Sequence, residues 1–156
     1  MDALVTTEWL AGELGASDLR IVDATYVDAA LGRDVAAEYE AAHIPGAVFM
    51  NLGELRDTDS NLPMMLPSAE KFASRMQSLG LGDGSRIVLY DNSPWHTSAR
   101  AWWMLRTFGA HDVAILDGGL ANGRPRGARR RAAGKACAIA TSPSGPTTRA
   151  CARSTR

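Results

Sequence analysis

The stretch from Asp91 to Ser98 is the part of this sequence best suited to chemistry, because hydroxyl groups and an imidazole follow one another closely. The side chains concerned are Ser93, His96, Thr97 and Ser98. A hydroxyl beside a histidine base is an arrangement used in nucleophilic catalysis. The same residue types also make a loop polar and cap the amino end of a helix. We favour the capping interpretation and expect no hydroxyl nucleophile here.

The usual sequence motifs for metal binding and phosphate binding are absent. The three histidines, His43, His96 and His111, are far apart, and the sequence has neither an HExxH motif nor a glycine-rich loop ending in Gly-Lys-Ser/Thr. Both cysteines lie beyond residue 120, so a disulfide scaffold or a CxxC metal site is excluded before that point. We therefore predict no structural zinc site.

Helix and strand patterns alternate along the chain, and they place the polar stretch between a strand and a helix. Arg86–Tyr90 gives the clearest strand pattern because it is short, apolar and bounded by glycine and aspartate. Further strands are predicted at 19–23, 47–50 and 113–116, with helices from Thr6 and at 33–42, 68–79 and 98–108. This alternation predicts an α/β fold, with a central, mostly parallel sheet flanked by helices on both faces.

The composition changes abruptly after Leu120. Residues 1–120 carry eight Lys or Arg against 17 Asp or Glu, whereas residues 121–156 carry nine Lys or Arg and no acidic residue. The second segment has one large aliphatic residue, Ile139, and no aromatic residue, so we expect it to be disordered. One small globular domain is predicted over residues 1–120.

Membrane insertion is not expected from the apolar pattern. No apolar run approaches the ~18–20 residues that span a bilayer. The first residues are acidic and polar, unlike the basic start and apolar core of a signal peptide. We therefore expect a cytoplasmic protein.

An ordered set of short motifs resembles one known family. In chain order the motifs are Val22-Asp23-Ala24, Gly32-Arg33-Asp34, Glu38-Tyr39, His43-Ile44-Pro45-Gly46-Ala47, Met65-Leu66-Pro67-Ser68, Val88-Leu89-Tyr90-Asp91, Ala99-Arg100-Ala101-Trp102-Trp103-Met104 and Leu116-Asp117-Gly118-Gly119-Leu120. Over residues 3–120 this set resembles the N-terminal domain of two-domain rhodaneses, the thiosulfate and 3-mercaptopyruvate sulfurtransferases.

The resemblance implies that this chain lacks the reacting group. In that family the C-terminal domain carries a cysteine that cycles through a persulfide, and the N-terminal domain is an inactive copy that completes the cleft. Asp91 stands where an active copy has cysteine, and a carboxylate cannot form a persulfide. The resemblance implies a small-molecule sulfur donor and the missing C-terminal domain as partners, and it implies no metal ion and no organic cofactor. The chain alone is expected to be inactive.

The resemblance also implies that Arg33, Asp34 and His43 lie at the edge of the interdomain cleft. A histidine and an acid there would assist proton transfer to a mercaptopyruvate carbonyl. The alternative is structural, with Asp34 capping the next helix and His43 bracing the proline–glycine turn after it. We favour the structural role, because the domain has no cysteine to give these groups a task and because Gly32 stands where some mercaptopyruvate enzymes carry an acid.

Arg100 falls in the first turn of the helix predicted at 98–108. An arginine at that position is suited to contact an anion beside the amino end of the helix. We favour instead a pairing with a neighbouring carboxylate, either Asp91 or Asp23.

Three hypotheses account for the basic segment after residue 120. The one we favour is a frameshift near Asn122, because one set of codons for these residues encodes Trp-Pro-Ala-Glu-Gly-Arg-Pro in another frame, which resembles the family's next motif. The second is a genuine tail for an acidic partner, or for nucleic acid, against which the absence of aromatic residues argues. The third, Cys137 or Cys151 as a catalytic thiol, lacks the loop that would activate it. A non-catalytic binding module carrying such a tail is the alternative function.

Overall fold

The computed structural model describes residues 1–82 and 84–120, and a five-stranded sheet forms its centre. The strands are β1 (Leu4–Val5), β2 (Leu19–Asp23), β3 (Ala47–Phe49), β4 (Arg86–Tyr90) and β5 (Val113–Leu116). They lie in the order β1-β5-β4-β2-β3, and the four pairings between them are all parallel. The α/β fold predicted from the sequence is confirmed. The sequence analysis missed β1, because a two-residue strand leaves no periodic pattern.

Four α-helices and one 3₁₀ turn connect the strands in the described part of the chain. They are α1 (Thr7–Glu13), the 3₁₀ turn Ala29–Leu31, α2 (Val35–Ala41), α3 (Ala69–Ser78) and α4 (Ser98–Thr107). Side-chain caps set where several of them begin: the Thr6 hydroxyl accepts from Trp9 N at 3.2 Å and the Ser68 hydroxyl from Lys71 N at 3.3 Å. Helix α2 starts two residues later than the predicted helix at 33–42, because Asp34 is its cap.

Apolar side chains on the two faces of the sheet form two separate cores. Val22 and Leu89 point toward α3 and α4, where Phe72 and Met104 are buried. The other face, which carries Ile21, Val88 and Tyr90 among others, packs with Leu10 of α1 and Tyr39 of α2. Adjacent residues of β2 and β4 therefore face opposite cores, as strand geometry requires.

Predictions about the basic segment lie outside the described residues. They concern residues 121–156: the domain boundary, the disorder, the frameshift, the basic tail and the two cysteines. They stay predictions.

Candidate functional site

The carboxyl ends of β2 and β4 meet at a switch in the direction of the chain. From β4 the chain passes through α4 to β5, and from β2 it passes through α2 to β3 on the opposite side. Helices α4 and α2 also cover opposite faces of the sheet. In open parallel sheets, a crevice at such a switch point is the usual position of a binding site. Residues 91–97, which we call the β4–α4 loop, form one wall of this crevice.

Asp91 begins the β4–α4 loop with its carboxylate inside the protein. The residue is 6% exposed. Its Oδ1 accepts a hydrogen bond from Ser93 N at 3.2 Å, and its Oδ2 accepts one from Ser98 N at 2.7 Å. The second bond caps helix α4, whose own N-cap residue, Thr97, makes no side-chain cap bond. Asp91 is therefore a structural anion whose two oxygens are both engaged.

The turn after β5 holds the main chain of Asp91. Leu120 N donates to Asp91 O at 3.0 Å. Gly119 lies so close that a Cβ on it would stand 2.5 Å from Asp91 O. Glycine is therefore needed at this position, and the β5 turn and the β4–α4 loop form one packed unit.

The hydroxyl groups of the loop make structural hydrogen bonds, but the prediction that they cap the helix is wrong, because the carboxylate of Asp91 caps α4 instead. Ser93 Oγ accepts from Trp95 N at 3.2 Å. Thr97 Oγ1 donates to Ala24 O at 2.8 Å and accepts from Tyr26 N at 3.1 Å, which ties the loop to the chain after β2. The His96 side chain is exposed, and within the described residues its ring makes no hydrogen bond to a hydroxyl.

A second buried carboxylate at this edge was considered from the sequence only as a partner for Arg100. Asp23 ends β2 and is 3% exposed. Its Oδ1 accepts from Thr25 N at 2.9 Å and from Thr25 Oγ1 at 2.5 Å, and the same hydroxyl accepts from Asn92 N at 3.0 Å. Burial, and then the charge of Asp23, raise the pKa of Tyr90. The sequence signal was present: two polar residues, Asp23 and Thr25, at the end of an apolar strand.

Arg33 links the segment before α2 to the β4–α4 loop. Its Nε and Nη2 donate to the two carboxylate oxygens of Glu38 at 2.8 and 2.5 Å, and Nη2 also donates to Asn92 O at 3.2 Å. The hydrogen bond with Glu38 raises the pKa of Arg33, and the same bond lowers the pKa of Glu38. Of the three cleft-edge candidates, Arg33 is the one that contacts the loop.

Asp34 and His43 both lie on the exposed side of this segment. Asp34 Oδ1 accepts from Ala36 N at 3.1 Å and from Ala37 N at 3.0 Å, so it caps α2 as predicted. The His43 ring stacks on Tyr39 with 4.4 Å between ring centroids, and Nδ1 is 2.7 Å from Tyr39 O. The prediction that His43 braces the proline–glycine turn is therefore wrong, because its ring contacts the end of α2.

Arg100 does not pair with Asp91 or Asp23, so that prediction is also wrong. Its guanidinium donates to the main-chain oxygen of Met64, and its Nε is buried without a hydrogen-bond partner among the described residues. Burial lowers the pKa of Arg100. The carboxylates were unavailable because main-chain N–H groups already occupy Asp91, and Thr25 holds Asp23. Arg100 anchors the 51–66 segment instead.

Two cavities open beside Arg33 and Asn92, which line both of them. The larger has a volume of about 740 Å³ and lies over the β4–α4 loop and the β5 turn, with Leu4 and Ile115 on its apolar side. The smaller, about 340 Å³, reaches Asp23. Small polar molecules therefore have access to the edge of the sheet at this switch point.

Residues 1–82 and 84–120 show neither a metal-binding cluster nor a membrane-spanning helix. No group of three or more His, Cys, Asp or Glu side chains there is arranged to hold a metal ion. None of the helices in that part of the chain combines the length and the apolar character that crossing a bilayer requires.

Comparison with known proteins defines the class. The rhodanese-like domain family matches residues 6–124. This chain is 44% identical over 118 residues to 3-mercaptopyruvate sulfurtransferase from Escherichia coli, covering 75% of this chain and 42% of that protein. It is 40% identical over 126 residues to thiosulfate/3-mercaptopyruvate sulfurtransferase 2 from Arabidopsis thaliana, covering 81% and 37%. The chain therefore belongs to the rhodanese-like domain family, as its motifs indicated.

Solved structures show the same relationship. The crystal structure of the Escherichia coli 3-mercaptopyruvate sulfotransferase SseA superposes with a TM-score of 0.74 at 42% identity, covering 79% of this chain and 47% of that one. A yeast mitochondrial sulfur transferase subunit gives a TM-score of 0.67 at 31% identity, covering 74% and 38%. The chain matches an N-terminal rhodanese-like domain of the sulfurtransferases and spans about two fifths of the length of these curated relatives.

Proposed function

We propose that this chain is a non-catalytic rhodanese-like domain of a thiosulfate or 3-mercaptopyruvate sulfurtransferase. The observation that supports this proposal most directly is the position and bonding of Asp91. It follows β4 at the head of a strand–loop–helix unit, the position where the resemblance puts the sulfur-accepting cysteine. Its carboxylate is buried and bound by two main-chain N–H groups.

The chemistry of sulfur transfer explains why such a loop is inactive. A cysteine thiolate attacks the transferable sulfur of the donor and forms a persulfide, while sulfite leaves from thiosulfate or pyruvate, as its enolate, leaves from 3-mercaptopyruvate. A thiophilic acceptor such as cyanide or a thiol then takes the outer sulfur and releases the thiolate. This requires a polarisable nucleophile that is ionised near neutral pH. A carboxylate forms no persulfide, and its charge repels an anionic donor such as thiosulfate. The described residues contain no thiol to replace it.

The role left to the domain is to form one wall of a cleft. In this proposal a second rhodanese-like domain supplies the cysteine, and residues 1–120 pack beside it. The partial coverage of the relatives, 37–42% of their lengths, supports a missing second domain. Arg33 lines both cavities at the switch point and is the best-placed cleft-edge side chain. Asp34 and His43 already have structural contacts within α2, which favours their structural role.

A sulfur-transfer assay on the purified chain tests the proposal. Thiosulfate or 3-mercaptopyruvate is supplied with cyanide, and thiocyanate is measured against a protein-free blank. We expect no turnover with either donor. The matched control is the Cys137→Ser/Cys151→Ser double variant, which removes both thiols of the chain. Turnover that survives in the double variant would place a nucleophile within residues 1–120, and turnover lost with the thiols would assign it to residues 121–156. Either result overturns the proposal.

A further inference from the structure

Helix α2 is the least covered of the four α-helices in residues 1–82 and 84–120. Each of α1, α3 and α4 has at least one buried residue, whereas α2 has none. Val35 and Tyr39 are half-buried, and Ala36, Ala37 and Ala41 are exposed. A surface helix normally buries an apolar stripe against its neighbours. One side of α2 is therefore open to a further segment of protein.

The described part of the chain ends beside this helix. Leu120 lines the smaller cavity, of about 340 Å³, together with Glu38 and other residues of α2. Residues 121–156 lie outside the described residues, and they follow from this point. Helix α2 is about 10 Å long, and an extended chain spans about 3.3 Å per residue. Arg124 and Arg126 are therefore close enough in sequence to Leu120 to reach any part of the helix.

The surface formed by α2 and the segment before it is negatively charged. Residues 27–42 carry one basic residue, Arg33, and four acidic residues, which are Asp28, Asp34, Glu38 and Glu40. Arg33 pairs with Glu38, and the other three acids form no salt bridge within the described residues. Helix α2 also has no basic residue in its last turn, where a cation would be favourable. The negative charge of this surface is therefore largely uncompensated.

The segment that starts beside this surface carries the opposite charge. Residues 121–156 have nine Lys or Arg and no acidic residue, against eight Lys or Arg and 17 Asp or Glu in residues 1–120. Five of the nine lie close to the start of the segment: Arg124, Arg126, Arg129, Arg130 and Arg131. Joining two groups by a short stretch of chain gives an effective concentration of roughly mM. A weak attraction between unlike charges is therefore sufficient to hold them together at low ionic strength.

We propose that the basic residues 121–131 bind the exposed side of α2 in the same chain. This side, which we call the α2 face, consists of Asp34, Ala37, Glu40 and Ala41, and Ala41 also lines the cavity that Leu120 reaches. The guanidinium groups pair with the carboxylates, and the methylene stems of the arginine side chains cover the alanines. The proposal uses charge and position alone, so it does not depend on the function proposed above.

Paramagnetic NMR on the full chain tests the proposal. Both cysteines lie beyond residue 120, so in the Cys151→Ser variant a nitroxide spin label attaches only at Cys137. At ~10 mM NaCl, where the Debye length is about 30 Å, the amide signals of Val35–Ala41 should lose roughly half of their intensity relative to the reduced label. At ~1 M NaCl, where the Debye length is about 3 Å, the intensities should recover. Broadening that does not respond to salt, or that affects α3 as much as α2, would overturn the proposal.

Two matched charge reversals locate the binding surface. Glu40 is exposed in the last turn of α2, where lysine suits the helix. Glu40→Lys should reduce the low-salt broadening of α2 about twofold, because it sets a cation against the arginines. Asp59→Lys makes the same charge change at an exposed position of the 51–66 segment, which packs on the other face of the sheet, and it should leave the broadening unchanged. Equal reductions in the two variants would show a response to net charge alone and would overturn the proposal.

A mixed sample separates contact within one chain from contact between two copies. The Cys137→Ser/Cys151→Ser chain, enriched in ¹⁵N and without a label, is mixed with spin-labelled chain of natural isotopic abundance. We expect no broadening of the α2 signals in this mixture. Broadening there would assign the α2 face to a second copy, and no broadening in the labelled chain itself would leave the basic residues to an external acidic partner. Either result would overturn the proposal.

The salt response of the labelled Cys151→Ser chain decides the proposal even if Glu40→Lys fails to fold. None of these measurements requires enzymatic activity. The contact can therefore be absent while the chain is inactive in the sulfur-transfer assay, and it can be present if that assay shows turnover. The two proposals are tested separately.

Discussion

Asp91 and Asp34 perform the same local task in two different surroundings. Asp91 directly follows β4 and Asp34 follows the 3₁₀ turn, and each uses its carboxylate to accept main-chain N–H groups near the start of a helix. Asp34 does so in water, whereas Asp91 is 6% exposed and is also held through its main-chain oxygen. Loss of an exposed cap costs about 1 kcal/mol. Loss of a buried acceptor also leaves N–H groups unbound, which adds roughly 1–3 kcal/mol.

The comparison shows that the same residue type can cap a single helix at one place and join several segments at another. At the α2 side the cap fixes one helix. At the α4 side the same residue type joins the loop, the helix and the turn after β5. The β4–α4 loop is therefore the rigid side of the crevice, and the segment before α2 is the side where polar groups remain near water.

Gly119→Ala should give the largest effect on the rigid side. The new Cβ would stand 2.5 Å from Asp91 O, and the residue has a φ of 55°. Overlap with main chain and left-handed strain together should lower the free energy of unfolding by roughly 2–4 kcal/mol, as measured by urea denaturation. The matched control is Gly32→Ala, at a φ of 61° with nothing near its Cβ position, which should lose only about 1 kcal/mol. Equal losses in the two variants would show that the β5 turn and the loop are not packed as one unit.

The sequence predicted the sheet well because its strands are buried and leave a clear apolar pattern. Strands at 19–23, 86–90 and 113–116 were predicted with the bounds that the structure has. Asp34 was predicted as a cap because its position before a helical pattern suffices to identify one. Such local signals need no knowledge of the tertiary structure.

Contacts between distant segments could not be read in the same way. Arg100 was expected to meet a carboxylate, but it meets the oxygen of Met64, 36 residues away, because the nearby carboxylates are already bound. The Asp23–Thr25–Asn92 contacts and the Arg33–Asn92 bond join segments that are adjacent only in the folded sheet. The family resemblance, which rests on residue type and spacing, identified Asp91 as important. The folded geometry shows that Asp91 acts as an internal hydrogen-bond acceptor.

Glu38→Gln should give a smaller and pH-dependent effect on the α2 side. The bond to Arg33 lowers the pKa of Glu38 below its ordinary value of 4.5, so its stabilising contribution is complete above that value and is lost as pH falls through the lowered pKa. At pH 7 we expect a loss of about 0.5 kcal/mol, since the two side chains are 29% and 39% exposed. The difference from wild type should disappear at pH values below the lowered pKa.

Urea denaturation of Glu38→Gln and of wild type, from pH 7 down to values below the lowered pKa of Glu38, measures that difference. The control is Glu54→Gln, which removes a more exposed partner of Arg75 far from the loop. Amide hydrogen exchange of the β4–α4 loop should increase in Glu38→Gln, through the Arg33–Asn92 bond, and remain unchanged in Glu54→Gln. If the loss of stability did not depend on pH, or if amide hydrogen exchange in the β4–α4 loop did not change, the α2 side would not stabilise the loop.

Variants of the two histidines should also have small effects, and these effects reverse the order of the two regions. His43 stacks on Tyr39 and contacts its main-chain oxygen, so His43→Ala should cost about 0.5–1 kcal/mol. His96 lies on the rigid side, but its side chain is exposed and its φ is 51°. His96→Gly relieves that strain while it loosens the unfolded chain, so the net change should stay within about 0.5 kcal/mol. If His96→Gly cost more than His43→Ala, the His96 side chain would have a structural role that its exposed position does not predict. The hydrogen bonds and ring contacts of a side chain would then no longer be sufficient to rank the polar residues of this crevice.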